Sequence, residues 1–184
     1  VAIEHAGADN AAWYCWHASR RQPMLEQAWA SVDVLPHCQL IWVKNRPVPG
    51  RSEFLWQHEP CLMGWRRGRR PNRASRQKLS TVLHADIVGD GSERPDHPTP
   101  KPVELFEMPM RRHTRPGEVC YEPFAGSGTQ FIAAERLGRR CFGIEREPAY
   151  CDLIVRRFIA FAGEGSVAPE IAERYRVTPS KEVA

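Results

Sequence analysis

The sequence predicts an α/β fold in which a mainly parallel sheet carries helices on both faces. Three observations predict it. The last third alternates short apolar runs with helical stretches: EVCYE, a glycine-rich turn, TQFIAAERL, RCFGI, and a helix opened by Pro148. This strand–turn–helix–strand–helix order is the unit from which parallel sheets are built. Upstream, the runs AWYCW and QLIWV are short, aromatic and branched, which suits strands. Composition permits a core: of 184 residues, 42% are hydrophobic and 26% charged. Such a chain folds rather than staying disordered.

Composition also narrows the function classes. No apolar run approaches the roughly 18 residues of a membrane span, and no secretory leader is legible, so a cytoplasmic location is expected. The first residue is Val1, not Met. The six cysteines, Cys15, Cys38, Cys61, Cys120, Cys141 and Cys151, include no CxxC pair. Metal sites need ligands that one turn can present together, so no metal is expected and the cysteines read as free thiols in a reducing compartment.

Taken in order, Ala12–Trp16 reads as a strand, Gln22–Ser31 as a helix with Leu25, Ala28 and Trp29 at helical spacing, and Gln39–Val43 as a buried strand. These make residues 1–45 the first part of the core. Pro47, Pro49 and Gly50 then break regular structure. Residues 46–96 are expected to be an irregular, basic and aromatic insertion, ending in the linker GDGSERPDHP. In the region 97–162, Pro102–Arg112 reads as a helix that Pro109 interrupts or ends early. Strands Glu118–Glu122 and Arg140–Ile144 follow, with helices Thr129–Leu137, capped by Gly138, and Pro148–Phe161. Residues 163–184 read as a flexible tail.

Charge is uneven. Lys44, Arg46, Arg51, Arg66, Arg67, Arg69, Arg70, Arg73, Arg76 and Lys78 face only Glu53 and Glu59. The segment therefore carries +8 of a net +4, leaving −4 elsewhere. With Trp56 and Trp65 interleaved, this is the footprint of a phosphate-binding surface, and nucleic acid is the expected partner.

The turn YEPFAGSGT, Tyr121–Thr129, carries the chemistry. Gly126 and Gly128 let the backbone bend sharply and approach a ligand, and the free amides of the helix start point at it. Glu145 ends the next strand 17 positions after Gly128, where a carboxylate accepts bonds from ribose hydroxyls. The third glycine of a dinucleotide fingerprint is replaced by Phe131, and Glu122 beside the turn repels a pyrophosphate. A ligand with a ribose and positive charge fits better, which points to S-adenosylmethionine.

The run His97–Phe158, with HPTPKP ahead of PFAGSG, resembles the cofactor half of the DNA methylase N-4/N-6 family, in the permuted order that places the cofactor motifs last. YCWHAS, LIWVKN and WQHEPCLMGW also resemble phage- or prophage-type members. The resemblance implies a Rossmann-like methyltransferase sheet, double-stranded DNA as substrate, and transfer of a methyl group to the exocyclic amine of adenine (N6) or cytosine (N4), as in restriction-modification. It implies that Pro123, Phe124, Gly126, Ser127, Gly128 and Thr129 line the cofactor turn. It further implies that Glu122 holds the methionine amine, Glu145 the ribose, and Thr99 and Lys101 close over the methionine end. The ten basic residues would approach DNA.

One family part is missing. Members carry a tetrapeptide, Asp, Asn or Ser followed by Pro-Pro and an aromatic residue, which binds the target amine. No two prolines are adjacent in this sequence. The resemblance therefore implies a truncated sequence without a catalytic residue of its own, inactive alone, with the strand supplied by an upstream segment or a complementing chain. The glycine-turn strand is expected to expose a long apolar edge in consequence. His17 and His58 read as packed or hydrogen-bonded histidines rather than replacements. The competing expectation is a non-catalytic nucleic-acid-binding remnant using residues 44–78.

Overall fold

The computed structural model describes residues 2–51, 53–88 and 100–176. The elements are α1 (Ala2–His5), β1 (Trp13–Trp16), α2 (Gln22–Ala30), β2 (Val34–Val48), β3 (Trp56–Arg66), β4 (Val82–His84), α3 (Glu104–His113), β5 (Val119–Glu122), α4 (Thr129–Arg136), β6 (Arg140–Gly143), α5 (Pro148–Ala162) and α6 (Pro169–Tyr175). They build two sheets. One has four strands in the order β1-β3-β2-β4, and the other is the parallel pair β5-β6. The architecture is α/β, as the alternation of elements predicts, but the expectation of a mainly parallel sheet is corrected: β3 runs antiparallel to both neighbours, and among the described residues only β2–β4 and β5–β6 are parallel.

The long hairpin β2–β3 corrects the expectation of an irregular insertion over 46–96. β3 occupies the centre of its sheet, antiparallel to both β1 and β2. Its prolines hide it in the sequence. Pro36 and Pro47 of β2 sit at register shifts, between Pro36 and Cys38 and between Val43 and Val48, where ladder bonds lapse anyway. Pro60 pairs with Ile41, and its carbonyl accepts the His17 N–H at 3.1 Å on the β1 side. Its missing donor points the same way, just past Trp16, where β1 has ended.

α2 packs on one face of this sheet. Trp29, Val34 and Leu62 form a buried cluster, joined by Trp13, Cys15 and Leu25. A buried side chain of this size stabilises by roughly 1.5–3 kcal/mol. Gly64 leaves the room, since a Cβ there would lie 2.7 Å from the Trp29 ring. A second cluster, Met110, Ala133, Ala134 and Leu137, holds α3 and α4 against Cys120 and Cys141 of β5 and β6.

Two further expectations are corrected. Pro109 neither interrupts α3 nor ends it early; the helix runs to His113, anchored on either side of the proline by buried Leu105 and Met110. The tail after residue 162 is ordered in its first part. α6 buries Ala172 and its Tyr175 hydroxyl donates to Asp152 of α5. Residues 177–184, and the linker Gly89–Pro98, lie outside the described residues. All six cysteines are free, with Cys61 buried and the others half-buried. Among the described residues there is no cluster able to hold a metal and no helix long and apolar enough to cross a membrane.

Candidate functional site

The glycine turn joins β5 to α4. Gly126 and Gly128 have φ of 54° and 76°, the left-handed region that favours glycine. At Gly128 a Cβ would also lie 2.8 Å from Ile154 of α5, so α5 packs directly on the turn. The turn is bonded from several sides. Gly128 N–H donates to Ala125 O at 2.9 Å, Ala125 N–H to Ile144 O at 2.9 Å, and the Gln130 amide to Ala125 O at 2.8 Å. Arg157 of α5 donates to Ser127 O and, at 3.4 Å, to the Thr129 hydroxyl.

Glu145 clasps this turn. One carboxylate oxygen accepts Gly126 N–H at 2.7 Å, and the other accepts Arg146 and Glu147 N–H at 2.8 and 2.9 Å. A carboxylate offers about four acceptor positions, and these three amides occupy most of them. Glu122, at the end of β5, accepts Phe124 N–H at 2.9 Å. Burial pushes its carboxyl above the usual range; the Phe124 amide and nearby Lys101 partly oppose this. Around the same end, Phe124 is 84% exposed and Phe142 and Ile144 are about half exposed. The result is an internally bonded turn with a half-buried carboxylate on one flank, an acceptor carboxylate on the other, and exposed apolar side chains beside it.

The predicted residues divide. Glu122, Phe124, Gly126, Gly128 and Glu145 come together at the turn, beside Pro123. Ser127 and Thr129 are in the turn, but their side chains are buried and their hydroxyls lie 3.3 Å apart, so they shape it from inside. Thr99 lies outside the described residues. Lys101 is held beside the site rather than in it: its ammonium sits 3.1 Å from Glu59 of β3 and over the Trp16 ring at 5.9 Å. Glu59 also takes Lys44 at 2.8 Å. Burial alone would raise the Glu59 carboxyl, but the two ammonium groups hold it below its usual range.

Lys44 therefore leaves the predicted DNA-facing set. It is buried against Glu59 and the Trp42 ring, with no surface to offer a phosphate. Arg66 is also committed, to Asp9 at 3.0 Å and Ile3 O at 2.8 Å, tying the chain start to β3. Arg67 pairs with Asp33 at 3.4 Å on the surface. Arg46, Arg51, Arg69, Arg70, Arg73, Arg76 and Lys78 are exposed.

The basic loop after β3 is laced to the end of α3. Ala74 N–H donates to Arg112 O at 2.9 Å, and the Arg112 guanidinium donates to Gln77 O at 2.7 Å and to Ser75 O. His113 donates from Nδ1 to Asn72 O at 2.8 Å, which leaves Nε2 to accept the Tyr14 hydroxyl at 2.9 Å. Burial lowers the His113 pKa, consistent with this neutral tautomer.

Sequence reasoning missed Glu59, Trp16 and Arg157. Glu59 was read only as an opposing charge, and the helical position of Arg157 carries no motif. His17 is hydrogen-bonded through Nδ1, 3.1 Å from Ala18 O, while its buried Nε2 meets no partner among the described residues. His58 stacks edge-on against Trp56 at 5.3 Å.

Comparison with known proteins identifies the family. A family described as DNA methylase, the N6/N4 methyltransferases, matches residues 21–156. A type II methyltransferase of Streptococcus pneumoniae, M2.DpnII, is 29% identical over 137 residues, covering 66% of this chain and 50% of that protein. Among solved structures, TTHA0409 of Thermus thermophilus complexed with S-adenosyl-L-methionine is 26% identical with a TM-score of 0.60, covering 83% of this chain and 70% of that one. An M1.HpyAVI complex shares the fold at a TM-score of 0.70 and 24% identity, covering 85% and 78%. The chain spans about half the length of the curated relative it matches. It belongs to the DNA methylase family.

Proposed function

With that membership as premise, we propose that the chain is the cofactor and recognition part of an S-adenosylmethionine-dependent DNA amino-methyltransferase of restriction-modification type, acting on adenine N6 or cytosine N4. The glycine turn clasped by Glu145, with half-buried Glu122 beside it, carries this reading. Glu145 would take the ribose. Glu122 would take the methionine ammonium, and the exposed Phe124, Phe142 and Ile144 would seat the adenine. When bound, the cofactor supplies a methyl group activated on a sulfonium. Lys101 would reach the methionine end only by releasing Glu59.

The domain organisation is proposed in amended form: a core over 1–45 and 97–162, completed by the β2–β3 hairpin, with the basic loop following it. β1 and β5 each pair on one side only among the described residues. The β5 edge is four residues long, shorter than expected from the sequence. We place the strand bearing the Pro-Pro tetrapeptide between these edges, contributed by an upstream segment or a complementing chain. The 184-residue chain alone is therefore expected to lack methyl transfer. A cytoplasmic location and a bacterial or phage origin belong to the same reading.

Calorimetry tests it directly. S-adenosylmethionine should bind the chain, NAD should not, and Glu145→Ala should abolish the response. Salt-sensitive DNA affinity with no response to S-adenosylmethionine would overturn the reading in favour of a nucleic-acid-binding remnant. Radiolabelled methyl transfer to mixed DNA by the 184-residue chain would overturn its inactivity.

A further inference from the structure

The β2–β3 hairpin ends in the most conspicuous unexplained surface of the molecule. Phe54 is 81% exposed, Leu55 50% and Trp56 51%, with Val48 opposite Trp56 at 37%. Four large apolar side chains at one exposed tip are costly to hydrate unless something covers them. Nothing in the core needs them. Trp56 touches His58 edge-on, but the neighbouring hairpin bond, Gln57 to Lys44 O at 3.1 Å, is made without either ring.

Position and charge identify the occupant. Glu59, three residues from Trp56, binds Lys101, and Lys101 acts electrostatically on Glu122 of the glycine-turn site. The hairpin thus springs from the site end of the sheet. Three residues of strand reach roughly 10 Å, comparable with the roughly 8.5 Å depth of a DNA major groove. Arg46 and Arg51 flank the tip, exposed and in no ion pair with a described residue, against Glu53 alone. Apolar rings between unpaired guanidinium groups fit an unstacked base step with its phosphates. They do not fit an acidic or purely apolar protein surface, where the arginines or the rings would go unused.

We propose that this tip enters double-stranded DNA and that Phe54 and Trp56 stack on the bases left unstacked when the target nucleotide turns out. A base must leave the helix before its amine can be methylated, and apolar wedges hold such steps open. The inference rests on the methyltransferase reading above and assigns the hairpin a role in DNA opening.

The test measures DNA affinity of the full 184-residue chain against salt, on a duplex containing one abasic site and on its intact counterpart. Phe54→Ala and Trp56→Ala should each weaken binding to the abasic duplex about five- to a hundredfold, the range for one lost base stack, without changing the salt slope. Arg46→Ala should instead reduce that slope by about one. Exposed positions leave the fold intact, which circular dichroism verifies. Unchanged affinity of both aromatic variants, with S-adenosylmethionine still bound, overturns the tip assignment and leaves the methyltransferase reading standing. So does conversion of a dimer to a monomer by these variants at constant DNA affinity, which would make the tip a contact between copies. A parent chain that binds DNA but not S-adenosylmethionine sinks the methyltransferase reading, yet the aromatic variants still report on the tip.

Discussion

The two sheets of this protein are held together by different means. The four-stranded sheet has an 11-residue central strand paired on both sides, an indole-lined core under α2, and a partly buried Lys44–Glu59–Lys101 network. The β5–β6 pair has four-residue strands and is covered by α3 and α4 on one face, while Val119 and Phe142 on the other are about half exposed. Parallel strands are normally buried on both faces, and two strands alone are marginal. The sheet that carries the glycine turn thus depends on neighbours that the four-stranded sheet does not need. Sturdiness and chemistry have been assigned to different sheets.

The largest expected effect comes from attacking the sturdy half. Glu59→Ala leaves buried Lys44 without an anion and should cost about 3–5 kcal/mol in urea unfolding. The same residue gives that half an acid limit. Because the folded carboxyl lies below its usual range, its contribution is complete above the ordinary carboxylate pKa and is lost as pH falls through the depressed one. The variant should lack that step in an acid titration of stability.

Next comes Gly128→Ala, which forces a side chain into the left-handed region and against Ile154. Together these should cost about 2–4 kcal/mol and remove the thermal shift with S-adenosylmethionine. Smaller, but most direct for the comparison, is native-state hydrogen exchange: amides of β5 and β6 should open roughly tenfold or more ahead of those in β2 and β3. Equal protection would erase the distinction. The smallest effect should be a gain. The Glu122 carboxyl is raised above its usual range by burial, so keeping it charged at neutral pH costs stability that decreases as pH falls. Glu122→Gln should raise Tm slightly at pH 7, with the gain vanishing below the ordinary carboxylate range, while weakening cofactor binding.

These differences explain what the sequence disclosed. The β5–α4–β6 unit was legible because its chemistry is local: two glycines, a strand on either side and Glu145 at a fixed spacing. β3 was not legible, because Pro60 and neighbouring charges read as loop. Only the end of β1, far away in sequence, makes that proline acceptable. Lys44 looked like a DNA contact for the same reason, as its partner Glu59 approaches only when the hairpin closes. Arg157 and Lys101 likewise act through contacts that no linear spacing announces.

The clasp between Glu145 and Gly126 has one more consequence, for the rate and entropy of ligand capture. The turn is already closed by internal bonds to Ile144 O, to Arg157 and to the Glu145 carboxylate. The proposed cofactor would meet a turn that is already ordered and need not order a loop, so less of its interaction energy would be lost to immobilising the chain. Association should then be limited by encounter and desolvation, and affinity differences among ligands should appear in how fast they leave.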